Sequence, residues 1–122
     1  MRVISVRARA ICSATESEEK VARAVSNVLG IDVTERAKWL RTTGIFNEPL
    51  SVLEVEVTGE EATAVADRLL SLLSEYELEE RTERSGEGEV IHLRFDKQEA
   101  YRGRLALGER DAVKVEVRRV RA

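Results

Sequence analysis

The amino-acid sequence predicts an α+β fold, a two-layer sandwich in which a mainly antiparallel sheet of about five strands carries helices on one face. Stretches in which apolar and polar residues alternate are interspersed with two long stretches whose apolar residues recur at helical spacing. Short loops join consecutive strand-like stretches, as in hairpins. The 122 residues predict a single domain with a core large enough to need no disulfide.

Two patterns near the start of the chain predict a strand and a helix. Residues 3–12 alternate, which is typical of a half-buried strand; its apolar side is Ile4, Val6, Ala8, Ala10 and Cys12. Thr15 with Glu18 matches a capping box, and an apolar stripe predicts a helix over 16–29 that ends at Gly30. Because capping and the helix dipole explain the Glu-Glu-Lys run at 18–20, we assign it no binding role.

A hairpin is predicted next, with strands at 33–43 and 50–57 around a loop at 44–49. Trp39 lies in its first strand, and we expect it to be buried with its indole N–H satisfied. Glu48 would place a negative charge beside the phosphates of any nucleic acid bound there, so the loop is not assigned as a site.

The second half of the chain shows further patterns of the same two kinds, typical of capped helices and of half-buried strands. Thr58 with Glu61 matches a capping box and predicts a helix over 60–73; the acidic stretch 74–84 is consistent with a second short helix. A strand at 90–95 leads to Asp96 and Glu99, a third capping box, and Gly103 is expected to end a short helix. Alternation at 113–118 predicts the last strand.

Charge is distributed unevenly along the chain. The net charge is −3, but residues 91–122 hold nine basic and five acidic residues, a net of +4. A local basic surface can attract a polyanion despite an acidic total.

The single Cys12 and single His92 exclude a disulfide, a cysteine zinc site and a pair of histidine metal ligands. No catalytic constellation, signal peptide or apolar run of membrane length is evident, so we expect a cytoplasmic protein that is not an enzyme and needs no cofactor.

The predicted short helix after Asp96 carries one candidate site. Helical spacing places Lys97, Tyr101 and Arg104 on one side, with Arg102 beside them. Exposed cations there could hold phosphates, and Tyr101 could stack on a base or instead anchor the core.

The polar face of the sheet carries the second candidate site, for phosphate contacts from Arg7, Arg9, Arg94, Lys114 and Arg118. The alternative is a set of cross-strand ion pairs with the carboxylates in the same phase: Glu54, Glu56 and Glu116. Cations without carboxylate partners would favour RNA, and neutralised cations would favour a protein contact.

The run FDKQEAYRGRL at 95–105, with ATESEEKV at 14–21, resembles small archaeal proteins described as RNA-binding, predicted exosome-associated subunits. That family is similar in fold to the large-subunit ribosomal protein that binds 5S ribosomal RNA. The resemblance implies a non-catalytic protein with RNA, single-stranded or structured, and exosome subunits as partners, and no membrane. The alternative is a protein–protein or homodimerisation module without direct RNA contact.

Overall fold

The computed structural model describes residues 1–121, which form six strands and four helices. In chain order these are β1 (Arg2–Cys12), α1 (Glu18–Leu29), β2 (Lys38–Thr43), β3 (Pro49–Thr58), α2 (Gly59–Leu70), α3 (Glu75–Glu80), β4 (Thr82–Ser85), β5 (Gly88–Asp96), α4 (Lys97–Tyr101) and β6 (Ala112–Val120). The strands form one antiparallel sheet in the order β2-β3-β1-β6-β5-β4. The α+β prediction is confirmed, with one strand more than the five expected.

The chain divides into two compact units. The first contains Met1–Arg7, Glu56–Leu93 and residues 115–121; the second contains Ala8–Val55 and Arg94–Lys114. No helix within residues 1–121 is long and apolar enough to cross a membrane.

In the first unit, α2 buries one face, made of Ala62, Val65, Ala66 and Leu69. The helix ends at Leu70, earlier than predicted, and Leu72 beyond it is 52% exposed. The predicted capping box at Thr58 is wrong, because the Thr58 side chain makes no capping hydrogen bond.

A true capping box instead starts α3. Ser74 Oγ accepts from Glu77 N at 3.2 Å, and Glu77 Oε1 accepts from Ser74 N at 3.1 Å. The chain then forms β4, which pairs antiparallel with β5. This is the strand that the sequence did not predict, because its four residues carry no apolar alternation.

In the second unit, α1 begins at Glu18 with Ser17 as its N-cap, so the capping box predicted at Thr15 is also wrong. The reason is Glu16, whose carboxylate accepts from Ser13 N at 3.0 Å and from Lys97 Nζ at 2.8 Å. These bonds hold residues 13–16 in a turn, and the helix starts after it.

Strand β2 begins at Lys38, five residues later than predicted. Val33 is buried, and its carbonyl accepts from Arg36 N at 3.0 Å and from Ala37 N at 2.8 Å. That turn occupies the first part of the predicted strand. From Lys38 to Thr43 the strand pairs with β3 alone and forms one edge of the sheet.

Candidate nucleic-acid interface

Helix α4 begins after Asp96 and ends before Gly103, as the sequence predicts, but the predicted capping box of Asp96 and Glu99 is only half formed. Asp96 Oδ2 accepts from Glu99 N at 2.8 Å, which caps the helix, although Asp96 N donates to Ala106 O instead of to Glu99. Gly103 has φ 86°, a left-handed conformation that glycine adopts freely, and follows the last turn. The short element is therefore fixed at both ends.

Lys97 does not lie on the surface of α4. Its side chain is 3% exposed, and Nζ lies 2.8 Å from Ile11 O, 2.8 Å from Glu16 Oε1 and 2.7 Å from Asp111 Oδ1. The expectation of an exposed cation at Lys97 is wrong. Two carboxylates and a carbonyl surround the ammonium, so it tethers the segments that precede α1 and β6 to the start of α4.

Ionisation of this group follows from its contacts. Burial disfavours the ammonium, but hydrogen bonds with Asp111 and Glu16 outweigh it and raise the pKa of Lys97. Burial likewise disfavours the Glu16 carboxylate, and the hydrogen bonds from Lys97 and from Ser13 N outweigh it and lower its pKa. Both groups are charged at neutral pH.

Tyr101 is the last residue of α4; it is half-buried, and its ring faces residues of α1. Lys20 Nζ is 5.7 Å from its ring centroid, and Arg23 Cζ is 5.9 Å from it, both within cation–π range. The two helices are joined at Asn27, whose Nδ2 donates to Ala100 O at 2.9 Å. An aromatic ring and two exposed cations are thereby held together.

A cleft of about 310 Å³ opens beside this ring. Lys20, Gln98 and Tyr101 line it together with Thr15, Glu16 and Ser17 of the loop before α1, and the lining is completed by Val21, Ala24 and Lys97. Its wall thus combines an exposed cation, an aromatic ring, an amide and two hydroxyls with the Glu16 carboxylate, which Lys97 pairs. A single nucleotide offers groups that match the cation, the ring, the amide and the hydroxyls in its phosphate, base and ribose.

Arg102 and Arg104 lie just beyond α4 and are 67% and 76% exposed at their side chains. Each approaches Glu99, at 3.6 Å and 3.8 Å, distances that indicate weak, solvent-screened ion pairs. With Lys20, Arg23 and Tyr101 they form what we call the α1–α4 cluster. Within residues 1–121, Lys20 and Arg23 make no ion pair with a carboxylate.

The sheet-face arginines are neutralised at two positions. In the first unit, Arg7 Nη2 lies 3.1 Å from Glu56 Oε2. In the second, Arg9 Nε lies 3.1 Å from Glu54 Oε1. These are the cross-strand pairs that the alternative interpretation of the sheet face requires.

The other three sheet cations are Arg94 and Lys114 in the second unit and Arg118 in the first. All three are exposed, and none forms an ion pair in the part of the chain that the structure describes. Arg118 does share a small cleft with Glu56 and Glu116, so its surroundings are mixed in charge.

Three other residues that the sequence analysis discussed, Trp39, Cys12 and His92, lie in ordinary structural positions on their strands. Trp39 is half-buried and not buried as expected, and Arg41 Cζ lies 5.9 Å from its ring. Cys12 is 2% exposed. His92 Nε2 lies 3.2 Å from Glu83 Oε2 on the exposed side of β5.

Lys20 and Arg23 are the residues that sequence reasoning missed. Their spacing of three on α1 places them on one helical face, which was the available signal. Capping and the helix dipole give the Glu-Glu-Lys run a local explanation, and only the packing of α1 against α4 brings its lysine to Tyr101.

Comparison with known proteins places these features in context. A family model described as RNA binding matches residues 5–119. An uncharacterised protein from Methanocaldococcus jannaschii is 29% identical over 117 residues, 89% of this chain and 78% of that protein. A protein from Pyrococcus abyssi named as RNA-binding is 28% identical over 117 residues, 89% of this chain and 76% of that protein. A solved structure from Methanothermobacter thermautotrophicus shares the fold, with a TM-score of 0.80 at 24% identity, over 100% of this chain and 88% of that one.

Proposed function

This chain belongs to the RNA-binding family whose model matches residues 5–119, and we propose that it binds RNA without catalysing a reaction on it. The observation that carries the proposal is the placement of Lys20 and Arg23 within 6 Å of the Tyr101 ring. An aromatic ring among exposed cations is the arrangement with which proteins hold single-stranded nucleic acid.

In the proposed complex, the cations of the α1–α4 cluster contact phosphates, and a base stacks on the half-buried ring of Tyr101. Phosphate contacts supply affinity and position the strand without reading its sequence. Lys97 has no part in this contact, because Glu16 and Asp111 already neutralise its ammonium.

From the sheet face we keep Arg94, Lys114 and Arg118 as proposed phosphate contacts. Arg7 and Arg9 are left out, because a phosphate would have to displace Glu56 and Glu54 and leave those carboxylates beside a polyanion.

The test of the cluster is the salt dependence of RNA binding. For single-stranded RNA, the slope of log affinity against log salt is about −0.7 per phosphate contact. The double variant Lys20→Ala with Arg23→Ala should therefore flatten the slope by about 1.4. Arg84→Ala is the matched control, because Arg84 already pairs with Glu79 in the first unit; its slope should match wild type. An unchanged slope in the double variant would remove the cluster from the interface.

Tyr101 tests the stacking half of the proposal. Tyr101→Ala should weaken RNA binding by about 1–3 kcal/mol with no change in the salt slope, and Tyr101→Phe should retain most of the affinity. A loss of folding stability of about 3–5 kcal/mol in Tyr101→Ala, with RNA affinity intact, would identify the ring as a core anchor instead.

The family resemblance carries the proposal one step further, to association with the archaeal exosome in RNA processing or degradation. Size-exclusion chromatography of the protein with a reconstituted exosome core, with and without RNA, tests it. Co-elution that survives the Lys20 and Arg23 double variant would indicate a protein contact separate from the RNA site. Separate elution under both conditions would reject the association.

A protein–protein or homodimerisation module remains the second candidate, and the neutralised Arg7 and Arg9 favour it at the sheet face. Sedimentation of wild type and of Glu54→Lys with Glu56→Lys discriminates the two. Dissociation of an oligomer in that variant, with no RNA affinity in wild type, would favour the module.

A further inference from the structure

The loop between β2 and β3 presents two large apolar side chains to solvent. Ile45 is 92% exposed and Phe46 is 85% exposed, the highest values for any large hydrophobic residue in the described chain. The other exposed hydrophobic residues are partly covered; Leu40 on β2, for example, is 51% exposed. A pair of adjacent, almost uncovered apolar side chains at a hairpin tip is a candidate contact surface.

The backbone beneath these side chains is held by its own hydrogen bonds. Gly44 N donates to Glu48 O at 2.8 Å, and Asn47 N donates to Gly44 O at 3.0 Å. Asn47 takes φ 62°, a left-handed conformation that asparagine tolerates. The tip is therefore a defined turn that presents Ile45 and Phe46 outward.

Glu48 is part of the same turn, and its carboxylate keeps its negative charge there, so the tip offers a surface for a base and not for a phosphate. Glu48 Oε2 accepts from Phe46 N at 2.9 Å. The carboxylate lies so close to Gly44 that a Cβ there would be 1.8 Å from Oε1. Glu48 thus serves as an internal acceptor that shapes the turn.

The stem of the hairpin is tied to the helix that carries half of the α1–α4 cluster. Glu18 on α1 accepts two hydrogen bonds from Arg41 of β2, and its Oε2 accepts from Ser51 Oγ of β3 at 2.8 Å. Lys20 and Arg23 follow Glu18 on the same helix. The strands that carry the tip are therefore bonded to the helix that carries Lys20 and Arg23, within the second unit.

From these contacts we propose that the hairpin tip is a second contact for single-stranded RNA, with the Phe46 ring stacked on a base and Ile45 packed beside it. The inference rests on the proposed RNA-binding function and adds a second point of attachment for the same strand. The size of the patch favours RNA over protein. Two side chains are short of the roughly 600 Å² that each partner contributes to even a small stable protein interface, whereas one ring is sufficient to stack one base.

A length series of single-stranded oligonucleotides tests the second contact. Wild type should gain affinity as the RNA lengthens from about 4 to about 16 nucleotides, because the longer strand reaches both contacts. Phe46→Ala should weaken binding of the long RNA by about 5-fold to 150-fold and leave the short RNA within 2-fold of wild type. Equal affinities of Phe46→Ala and wild type for every length would overturn the inference.

Tyr76→Ala supplies the matched control. Tyr76 is also a well-exposed aromatic residue, at 71%, but it lies on the acidic helix α3 and its hydroxyl donates to Glu80. Its removal should leave RNA affinity unchanged at all lengths. A loss equal to that of Phe46→Ala would mean that any exposed ring contributes non-specifically, and would contradict a site at the tip.

The variants also separate this inference from the proposed function. If the Lys20 and Arg23 double variant binds RNA normally while Phe46→Ala does not, the proposed contact at the α1–α4 cluster is rejected and the contact at the hairpin tip is supported. If Phe46→Ala binds normally while the double variant does not, only the contact at the tip is rejected. Photocrosslinking with 4-thiouridine RNA, followed by mass spectrometry, should place an adduct at Ile45 or Phe46. A change in sedimentation of Phe46→Ala without any change in RNA affinity would identify the tip as a protein interface instead.

Discussion

Replacing Lys97 with methionine should destabilise the protein by about 3 kcal/mol at pH 7. Methionine has a similar length and leaves almost no cavity, so the loss isolates the charge. Removing one partner of a buried ion pair costs about 3–5 kcal/mol, because the other charge stays behind without compensation. In this variant the charge left behind is the Glu16 carboxylate. Its side chain is 23% exposed, and this partial solvation places the expected loss of stability at the lower end of that range. Asp111, at 58% exposed, adds about 0–1 kcal/mol.

Urea unfolding, followed by Trp39 fluorescence and by far-UV circular dichroism, gives the free energy of unfolding. Lys114→Met is the matched control, because Lys114 is exposed and forms no ion pair within residues 1–121; it should change stability by less than about 0.5 kcal/mol. A loss below about 1 kcal/mol in Lys97→Met would refute the buried contact of Lys97 with Glu16 and Asp111, and would favour the exposed Lys97 that the sequence predicted. RNA affinity of the folded variant should equal that of wild type.

The pH dependence has a definite sign. The pKa of Glu16 is lower in the folded protein than the ordinary value of 4.5, so its contribution to stability is present above that pH and is lost as pH falls through the folded-state pKa. The pKa of Lys97 is raised above the ordinary value of 10.5, so its contribution is lost only as pH rises beyond that value. The difference between wild type and Lys97→Met should therefore shrink below about pH 4.

Two further pairs of substitutions test the fold by denaturant unfolding. Leu69→Ala on α2 should cost about 2–5 kcal/mol because the side chain is fully buried, whereas Leu72→Ala, at a half-exposed position, should cost far less; equal losses would contradict the helix end at Leu70. Ser17→Ala should cost about 1 kcal/mol as the N-cap of α1, and Thr15→Ala close to nothing. A larger loss of stability in Thr15→Ala than in Ser17→Ala would identify Thr15 as the N-cap instead.

The sequence was sufficient for the type and order of the long elements, since their apolar periodicity reflects which face is buried. It failed where a long-range contact competes with a local motif. Thr15 matches a capping box, but Glu16 is held by Lys97, which is 81 residues away, and the helix starts at Ser17 instead. No local pattern contains that information.

In the candidate site, too, local sequence patterns identified some residues, and long-range contacts determined the positions of others. Tyr101, Arg102 and Arg104 were identified from their own stretch, and the structure brings Lys20 and Arg23 to the ring. Lys97, in the same stretch, is turned inward by carboxylates that are remote in sequence. Spacing along a helix indicates which residues share a side, but the partner surface decides which side is buried.

Cys12 gives the molecule a built-in probe of local opening. Its thiol is 2% exposed, and Sγ donates to Glu16 O at 3.5 Å. A thiol reagent can react only when this region opens, so the labelling rate, relative to that of an unfolded peptide, measures the equilibrium constant for opening. Each tenfold slowing corresponds to 1.4 kcal/mol. Because Cys12 is the sole cysteine, one kinetic trace reports how often the segment before α1 separates from the core, well below the denaturant concentrations that unfold the whole chain.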